Sequence, residues 1–361
     1  MKRTPLYDEH LKLKARIVEF GGWEMPVFYT NVIDEHKTTR TKAGLFDICH
    51  MGEFIVRGKQ AAEFVQCIIT NDINKLTEGK AFYTAMCNEQ GGVVDDLFVY
   101  KMSESEFMLV VNAGNIEKDF LWLKKHINSY DVELKDVSER TAKLDLQGPN
   151  SEAILQKMVN YDLSRLERFH FVKIKVDGIL ATVSRTGYTG EDGFELYFDS
   201  AHAKEIWNSI LLKGKELGIK PIGLGARDTL RIEACYSLYG HELSEGLSPF
   251  EAGTGFVVKL DKPAFVGKAA LERIKDKSSR NIVAFEMIDK GVPRQGYEVF
   301  FGEERVGAVT SGTMSPTLQK GLGLALMDVN VLLGSEILIN IRHKLYKAKI
   351  VKRPFYSYKG G

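Results

Sequence analysis

Two hydrophobic periods interleave along the first three-quarters of the chain. Apolar residues recur at spacings of three and four in 58–68 ("GKQAAEFVQCI"), 115–126, 201–217 ("AHAKEIWNSILLKGKEL") and 265–275, which predicts a helix in each. Alternation with a period of two, or a short β-rich run, predicts strands at 81–87, 92–100, 106–113, 140–147, 168–185 and 193–199. The irregular mixing of the two implies α+β layers rather than a βαβ repeat. From about residue 277 the texture changes. "RNIVAFEMI", "GYEVFF", "RVGAVTSGT", "GLGLALM", "SEILINI" and "LYKAKIV" are short strand candidates separated by Gly, Ser, Asp or Asn, as in a small β-barrel or sandwich. The charged run "ERIKDKSSR" at 272–280 marks the boundary, so the chain is expected to divide into 1–276 and 277–361. Its length of 361 residues also argues for more than one core, since single cores stop growing near ~250–300 residues.

One strand breaks its own pattern. "GGVVDDLFVY" (91–100) sets Asp95 and Asp96 side by side in an apolar run. Consecutive strand residues face opposite ways, so water on one face accounts for only one of them. The alternation places Val94, Asp96, Phe98 and Tyr100 on one face and Val93, Asp95, Leu97 and Val99 on the other. At least one carboxylate is expected in a pocket or against a partner, because a buried unpaired charge costs roughly several kcal/mol.

Charge and cysteine usage narrow the class. Lys plus Arg is 49 against 48 for Asp plus Glu, a net +1, so no whole-chain field favours nucleic acid or an anionic membrane. The four cysteines, Cys49, Cys67, Cys87 and Cys235, form no CxxC pair and have no histidine at metal-finger spacing, which favours a reducing compartment without structural zinc. "MKRTPLYDEH" lacks a secretory apolar core, and no run reaches the ~18 apolar residues that would span a bilayer. The expectation is a soluble cytoplasmic protein.

Two glycine-rich stretches are candidates for chemistry. "SRTGYTGEDGFELYF" (184–198) reads either as a turn and an edge strand with a solvated Glu195, or as backbone that approaches a ligand with Glu195 as acceptor. It lacks the Lys-Ser/Thr ending of a phosphate loop. "GLGARDTLRIEACYSLYG" (223–240) continues as a helix with Arg227 and Arg231 one turn apart, suited to an Asp228–Arg231 surface pair or to a guanidinium aimed at a substrate carboxylate. His50 and His241 sit in apolar, glycine-rich surroundings, and a satisfied structural histidine is the expectation for both.

Taken together, "FGGWEMPVFY", "GLFDICHMGEF", "ITNDI", "CNEQGGVVDDLFVYK", "LQGPN", "SRTGYTGEDGFEL", "GLGARDTLRIEACYSLYG", "FVGKAAL" and "VGAVTSGTMSPTL" resemble, in order from residue 4 to about 356, the aminomethyltransferase or T-protein family of the glycine cleavage system. The resemblance implies a three-domain, cloverleaf-like arrangement of two interleaved α+β domains and a C-terminal β-barrel. The implied reaction moves the carbon of an aminomethyl group from the lipoyl arm of an H-protein to tetrahydrofolate, releasing ammonia. Tetrahydrofolate is then a co-substrate, with neither metal nor flavin, and no nucleic acid or membrane is a partner. The resemblance assigns Asp96 as the catalytic aspartate, leaving Asp95 structural, and Glu195 as acceptor for the two-donor edge of the pterin. Arg227 would contact substrate, with Tyr188, Tyr236, Tyr83 and Met51 as pocket walls, Asn112 as a polar wall and Tyr358 as a contact to the folate tail. Cys49 stands where the family usually has Ser. A folate-binding accessory protein of iron–sulfur assembly is the rival, but its Lys-Gly-Cys-Tyr-x-Gly-Gln-Glu signature is absent, since "RIEACYSLYGHEL" has no Lys-Gly before Cys235.

Overall fold

A computed structural model describes residues 1–127, 130–328 and 331–358. The predicted helices form at Ala61–Ile68, Ile116–His126, Ala203–Gly214 and Lys268–Ile274. The run 168–185 is a hairpin of Phe171–Val176 and Ile179–Ser184, turned by Asp177 and Gly178 at positive φ, the geometry an Asp-Gly pair favours.

Two antiparallel-rich sheets share the first three-quarters of the chain and interleave in sequence. The five-stranded sheet runs Ala81–Cys87, Val93–Ser103, Glu106–Val111, Gly52–Arg57, Glu133–Asp136. The six-stranded sheet takes Ala43–Asp47 from before that block and the rest from after it: Phe171–Val176, Ile179–Ser184, Gly193–Asp199, Thr141–Gln147, Ala43–Asp47, Ile219–Ile222. Helices Ala61–Ile68 and Ile116–His126 cover one sheet through Phe64, Val65, Ile68 and Leu123, and Ala203–Gly214 covers the other through Ile206, Trp207 and Ile210. A small N-terminal sheet, Lys2–Arg3, Trp23–Phe28 and Arg16–Phe20, completes this region. The six strands between Arg280 and Val351 close into a barrel. We propose residue 276 as the end of the first region, between the helix that stops at Ile274 and the barrel strand that starts at Arg280. No helix among the described residues is long and apolar enough to cross a membrane.

Buried polar clamps hold these parts in register. Glu233, fully buried at the end of helix Leu224–Glu233, accepts from Arg40 (3.0 Å) and His36 (3.2 Å) on helix Val32–Thr41 and from Thr317 Oγ1 (2.8 Å) and Ser315 just past a barrel strand. That explains the Ser-Pro-Thr of the "VGAVTSGTMSPTL" motif. Gly223 opens the same helix because a Cβ there would lie 2.4 Å from the Val27 carbonyl.

Lys262 is a second clamp. Its buried ammonium donates to the carbonyls of Gln66 (2.7 Å), Ile69 (2.6 Å) and Asn71 (2.7 Å), which would otherwise be orphaned at the end of helix Ala61–Ile68. Lys262→Met keeps the stem but strips all three donors, and should cost about 2–4 kcal/mol in urea denaturation. A loss near zero would show that water takes over from the ammonium.

Candidate active site

The strand Val93–Ser103 carries the two aspartates, and they do face opposite ways. Asp95 is fully buried, and Asp96 is partly open to a cavity. A β-bulge in this strand, where Val94 is the extra residue opposite the Met86–Cys87 step of the neighbouring strand, corrects the rest of the expected facing. Val94 joins Leu97 and Val99 in the helix-covered core, while Val93 lies on the Asp96 side with Ala85 and Cys87. A strict period of two cannot anticipate an inserted residue.

The cavity, about 800 Å³, lies where the two sheets, helix Leu224–Glu233 and the chain after the barrel meet. Lys143 and Glu195 come from the six-stranded sheet, Asp96, Phe98 and Val110 from the five-stranded one, His50 and Met51 from the crossover between them, and Arg353 and Pro354 from the tail. Eight expected residues line it: Asp96, Glu195, Arg227, Tyr188, Tyr236, Tyr83, Met51 and Asn112. Tyr358 does not. After Pro354 the chain turns onto helix Val32–Thr41, with Tyr356 N–H donating to the Glu233 carbonyl (2.9 Å) and its ring on the Arg40 guanidinium (3.8 Å), which carries Tyr358 away.

Asp96 accepts from the Tyr83 hydroxyl (2.9 Å) and the Asn112 amide (2.8 Å). Burial, followed by the charge of Asp95, raises its carboxyl to about 7, against the pull of those two donors. A group that changes charge near neutral pH inside a cleft is suited to carrying a proton.

Glu195 sits on a central strand rather than an edge, 5% exposed. One oxygen meets Lys143 Nζ (2.9 Å), and the other meets Thr186 Oγ1 (2.6 Å) and the Tyr197 hydroxyl (3.3 Å). Burial alone would raise this carboxyl, but Lys143 and Thr186 outweigh it and the net shift is downward. The Glu195 carboxylate is therefore held ionised at the cavity floor. Asp145 lies directly opposite Glu195 in the strand pairing, and Arg227 Nη1 donates to it (3.0 Å) while its guanidinium lies 4.8 Å from the Tyr188 ring centre. The Asp228–Arg231 pair forms (2.8 Å), but Arg231 is 2% exposed and also reaches Ser311 of the barrel (3.0 Å), so it is a clamp and not a surface pair.

Flat aromatic walls complete the cavity. Tyr188 and Tyr236 stack at 5.7 Å, Tyr83 and Phe256 at 6.3 Å, and Phe98 and Phe169 at 6.2 Å. The glycines of "TGYTGEDG" serve chain-on-chain contact more than ligand approach: a Cβ at Gly187 or Gly193 would strike the Gln147 side chain, whose amide bonds the Thr186 carbonyl (3.0 Å). Cys49 fits its position as a buried thiol donating to the Lys143 carbonyl (3.4 Å).

His241 is the satisfied histidine expected, bonded to the Thr310 carbonyl (2.9 Å). His50 is not. It lines the cavity with Nδ1 buried and unpartnered, edge-on to Phe20, and burial first and then Arg227 and Lys143 lower it to about 3 despite Asp47. A neutral imidazole at the cavity wall, its Nδ1 without a hydrogen-bond partner among the described residues, departs from that expectation. Lys143 and Asp145 were also missed, although they share one face of "KLDLQ" in alternation with Leu144 and Leu146.

This geometry defines a small-molecule site, walled by aromatic rings and lined by ionisable groups, on an interleaved α+β scaffold with a barrel attached. The family model described as the GCVT N-terminal domain matches residues 6–262, and that of the glycine cleavage T-protein C-terminal barrel domain matches 280–357. The chain belongs to the glycine cleavage T-protein family. It is 52% identical over 360 residues to an aminomethyltransferase of Geobacillus kaustophilus and 53% identical over 361 residues to one of Geobacillus thermodenitrificans, covering 99% of both chains in each case. The crystal structure of the glycine cleavage system aminomethyltransferase T from Bartonella henselae superposes with a TM-score of 0.92 at 32% identity, covering 98% of each chain.

Proposed function

We propose that the cavity is where an aminomethyl group carried on a lipoyl sulfur of an H-protein gives its carbon to tetrahydrofolate, with release of ammonia. The enzyme is an aminomethyltransferase of the glycine cleavage system, and the observation that carries the site assignment is Asp96, poised near neutrality at the cavity wall and backed by a second carboxylate. The reaction breaks the C–S bond and the bond from carbon to the ammonium nitrogen, and forms two C–N bonds to the folate. The two folate N–H protons displaced balance the thiol and the ammonium released. Two protons must therefore move, and no net proton is gained or lost.

The fit of the co-substrate rests on the residues present. A pterin edge offers adjacent N–H donors, and Glu195 is an ionised acceptor at the floor, while the tyrosine pairs supply flat walls and Arg227 a cation. Asp96 takes a proton from an attacking nitrogen and returns it to the leaving group. These groups supply the acid–base chemistry, so the reading calls for no metal and no flavin; it goes with a cytoplasmic enzyme whose protein partner is a lipoylated H-protein. The test is ammonia release from purified protein, aminomethyl-loaded H-protein and tetrahydrofolate in chelator-treated buffer. Turnover is expected, and silence from folded protein with all three present would overturn the reading.

A further inference from the structure

Behind the cavity wall, helix Ile116–His126 buries a carboxyl that the proposed reaction leaves unused. Asp119 is 0% exposed, and neither of its oxygens accepts a hydrogen bond from any donor among the described residues. A carboxylate is costly in such a place, whereas a neutral acid has a proton to donate. Asp119 stands one helical turn on from the N-cap Asn115, whose amide donates to Asp95, and this brings its carboxyl beside Asp95. Asp95 is also fully buried and takes three amide donors: Asn112 N (3.0 Å), Asn112 Nδ2 (2.9 Å) and Asn115 Nδ2 (2.6 Å). A carboxylate has about four acceptor sites, so room remains for one more donor. The Asn112 amide is shared, reaching Asp96 Oδ1 at 2.8 Å as well.

We propose that Asp119 is a positioning acid for the transferase: it donates its proton to Asp95 and, through Asp95 and the shared Asn112 amide, holds Asp96 at the cavity surface. The inference rests on the reaction proposed above. Asn115 and Asp119 stand four residues apart, so one face of the helix start presents an amide and an acid to the same carboxylate. Burial, then the charge of Asp95, pushes the Asp119 carboxyl up to about 11, in the same direction as the geometry. The other charged or titratable groups facing the cluster do not supply the missing donor. Lys118 donates to the Val94 carbonyl and the Tyr239 hydroxyl (2.8 Å) and lies 3.7 Å from Glu245, and the Tyr83 hydroxyl is bonded to Asp96 and that of Tyr188 to the Ser237 carbonyl.

Two variants and one spectrum test it. Asp119→Asn keeps an N–H where the acid had its proton, and should lose no more than about threefold in kcat, whereas Asp119→Leu, of similar size and with no donor, should lose about tenfold or more with the KM for tetrahydrofolate little changed. The infrared difference between wild type and Asp119→Asn, taken near pH 9 where Asp96 is ionised, should contain one protonated-carboxyl C=O band lost in the variant. Absence of that band, or an Asn variant as impaired as the Leu variant, overturns the proposal. If no preparation turns over, the transferase reading fails, and the infrared arm still decides whether Asp119 is an acid. It decides equally if the Leu variant does not fold.

Discussion

Asp96→Asn is expected to lower kcat by about 100-fold or more while leaving tetrahydrofolate affinity nearly unchanged, as for a lost acid–base group that does not anchor the ligand. The substitution keeps the size of the side chain and an oxygen for the Asn112 amide or the Tyr83 hydroxyl, so what it removes is the charge and the ability to carry a proton. In the wild type, kcat/KM should fall as pH drops through about 7, where Asp96 of the free enzyme takes up its proton, and the residual activity of the variant should lack that limb. Stability supplies an independent check. Burial and Asp95 raise the carboxyl above its unfolded value of 3.8, so the folded state binds the proton more tightly than the unfolded chain. A destabilisation therefore builds between 3.8 and about 7 and persists at higher pH. The neutral Asn carries no such penalty, and near pH 8 the variant should melt no lower than wild type. Normal turnover from the folded variant would remove Asp96 from the chemistry.

The sequence carried the local elements well and the long-range pairing poorly. Apolar spacings of three and four marked helices because each buries one stripe, as in Ala203–Gly214 with Ile206, Trp207 and Ile210. That Ala43–Asp47 pairs with Thr141–Gln147, about a hundred residues on, leaves no trace in local periodicity. It was the family resemblance that supplied the interleaving. The opposite facing of Asp95 and Asp96 followed from strand geometry alone, yet the bulge that exchanges Val93 and Val94 did not. Lys143 and Asp145 escaped for another reason. A polar residue at every second strand position reads the same whether that face meets water or a closed cavity, and only the packing of one sheet against the next tells them apart. His50 escaped because histidines in apolar surroundings are usually satisfied, and this one is not.

Glu195→Gln is expected to weaken tetrahydrofolate binding by about tenfold or more, and also to destabilise the protein, through two effects that can be separated. The first concerns the ligand: the substitution turns one acceptor oxygen into an N–H₂ group, so one of the donors of the pterin edge meets another donor. The second concerns the floor itself. Lys143 is 2% exposed and has Glu195 (2.9 Å) as its carboxylate partner, with the Met51 sulfur (3.4 Å) and the Tyr197 ring (5.2 Å to its centre) as uncharged neighbours. Removing the carboxylate leaves a buried ammonium unpaired, a loss of roughly 3–5 kcal/mol for pairs of this kind. Lys143→Met removes the stranded charge at nearly constant shape, so the double variant should recover most of the lost stability in urea denaturation. It should not recover folate affinity, because the acceptor pair is still missing. Calorimetry on the three variants then distinguishes the roles. If Lys143→Met in the Glu195→Gln background restored affinity along with stability, Glu195 would be a structural partner of Lys143 and not the anchor of the pterin. Unchanged affinity in Glu195→Gln itself would take Glu195 out of the binding site altogether.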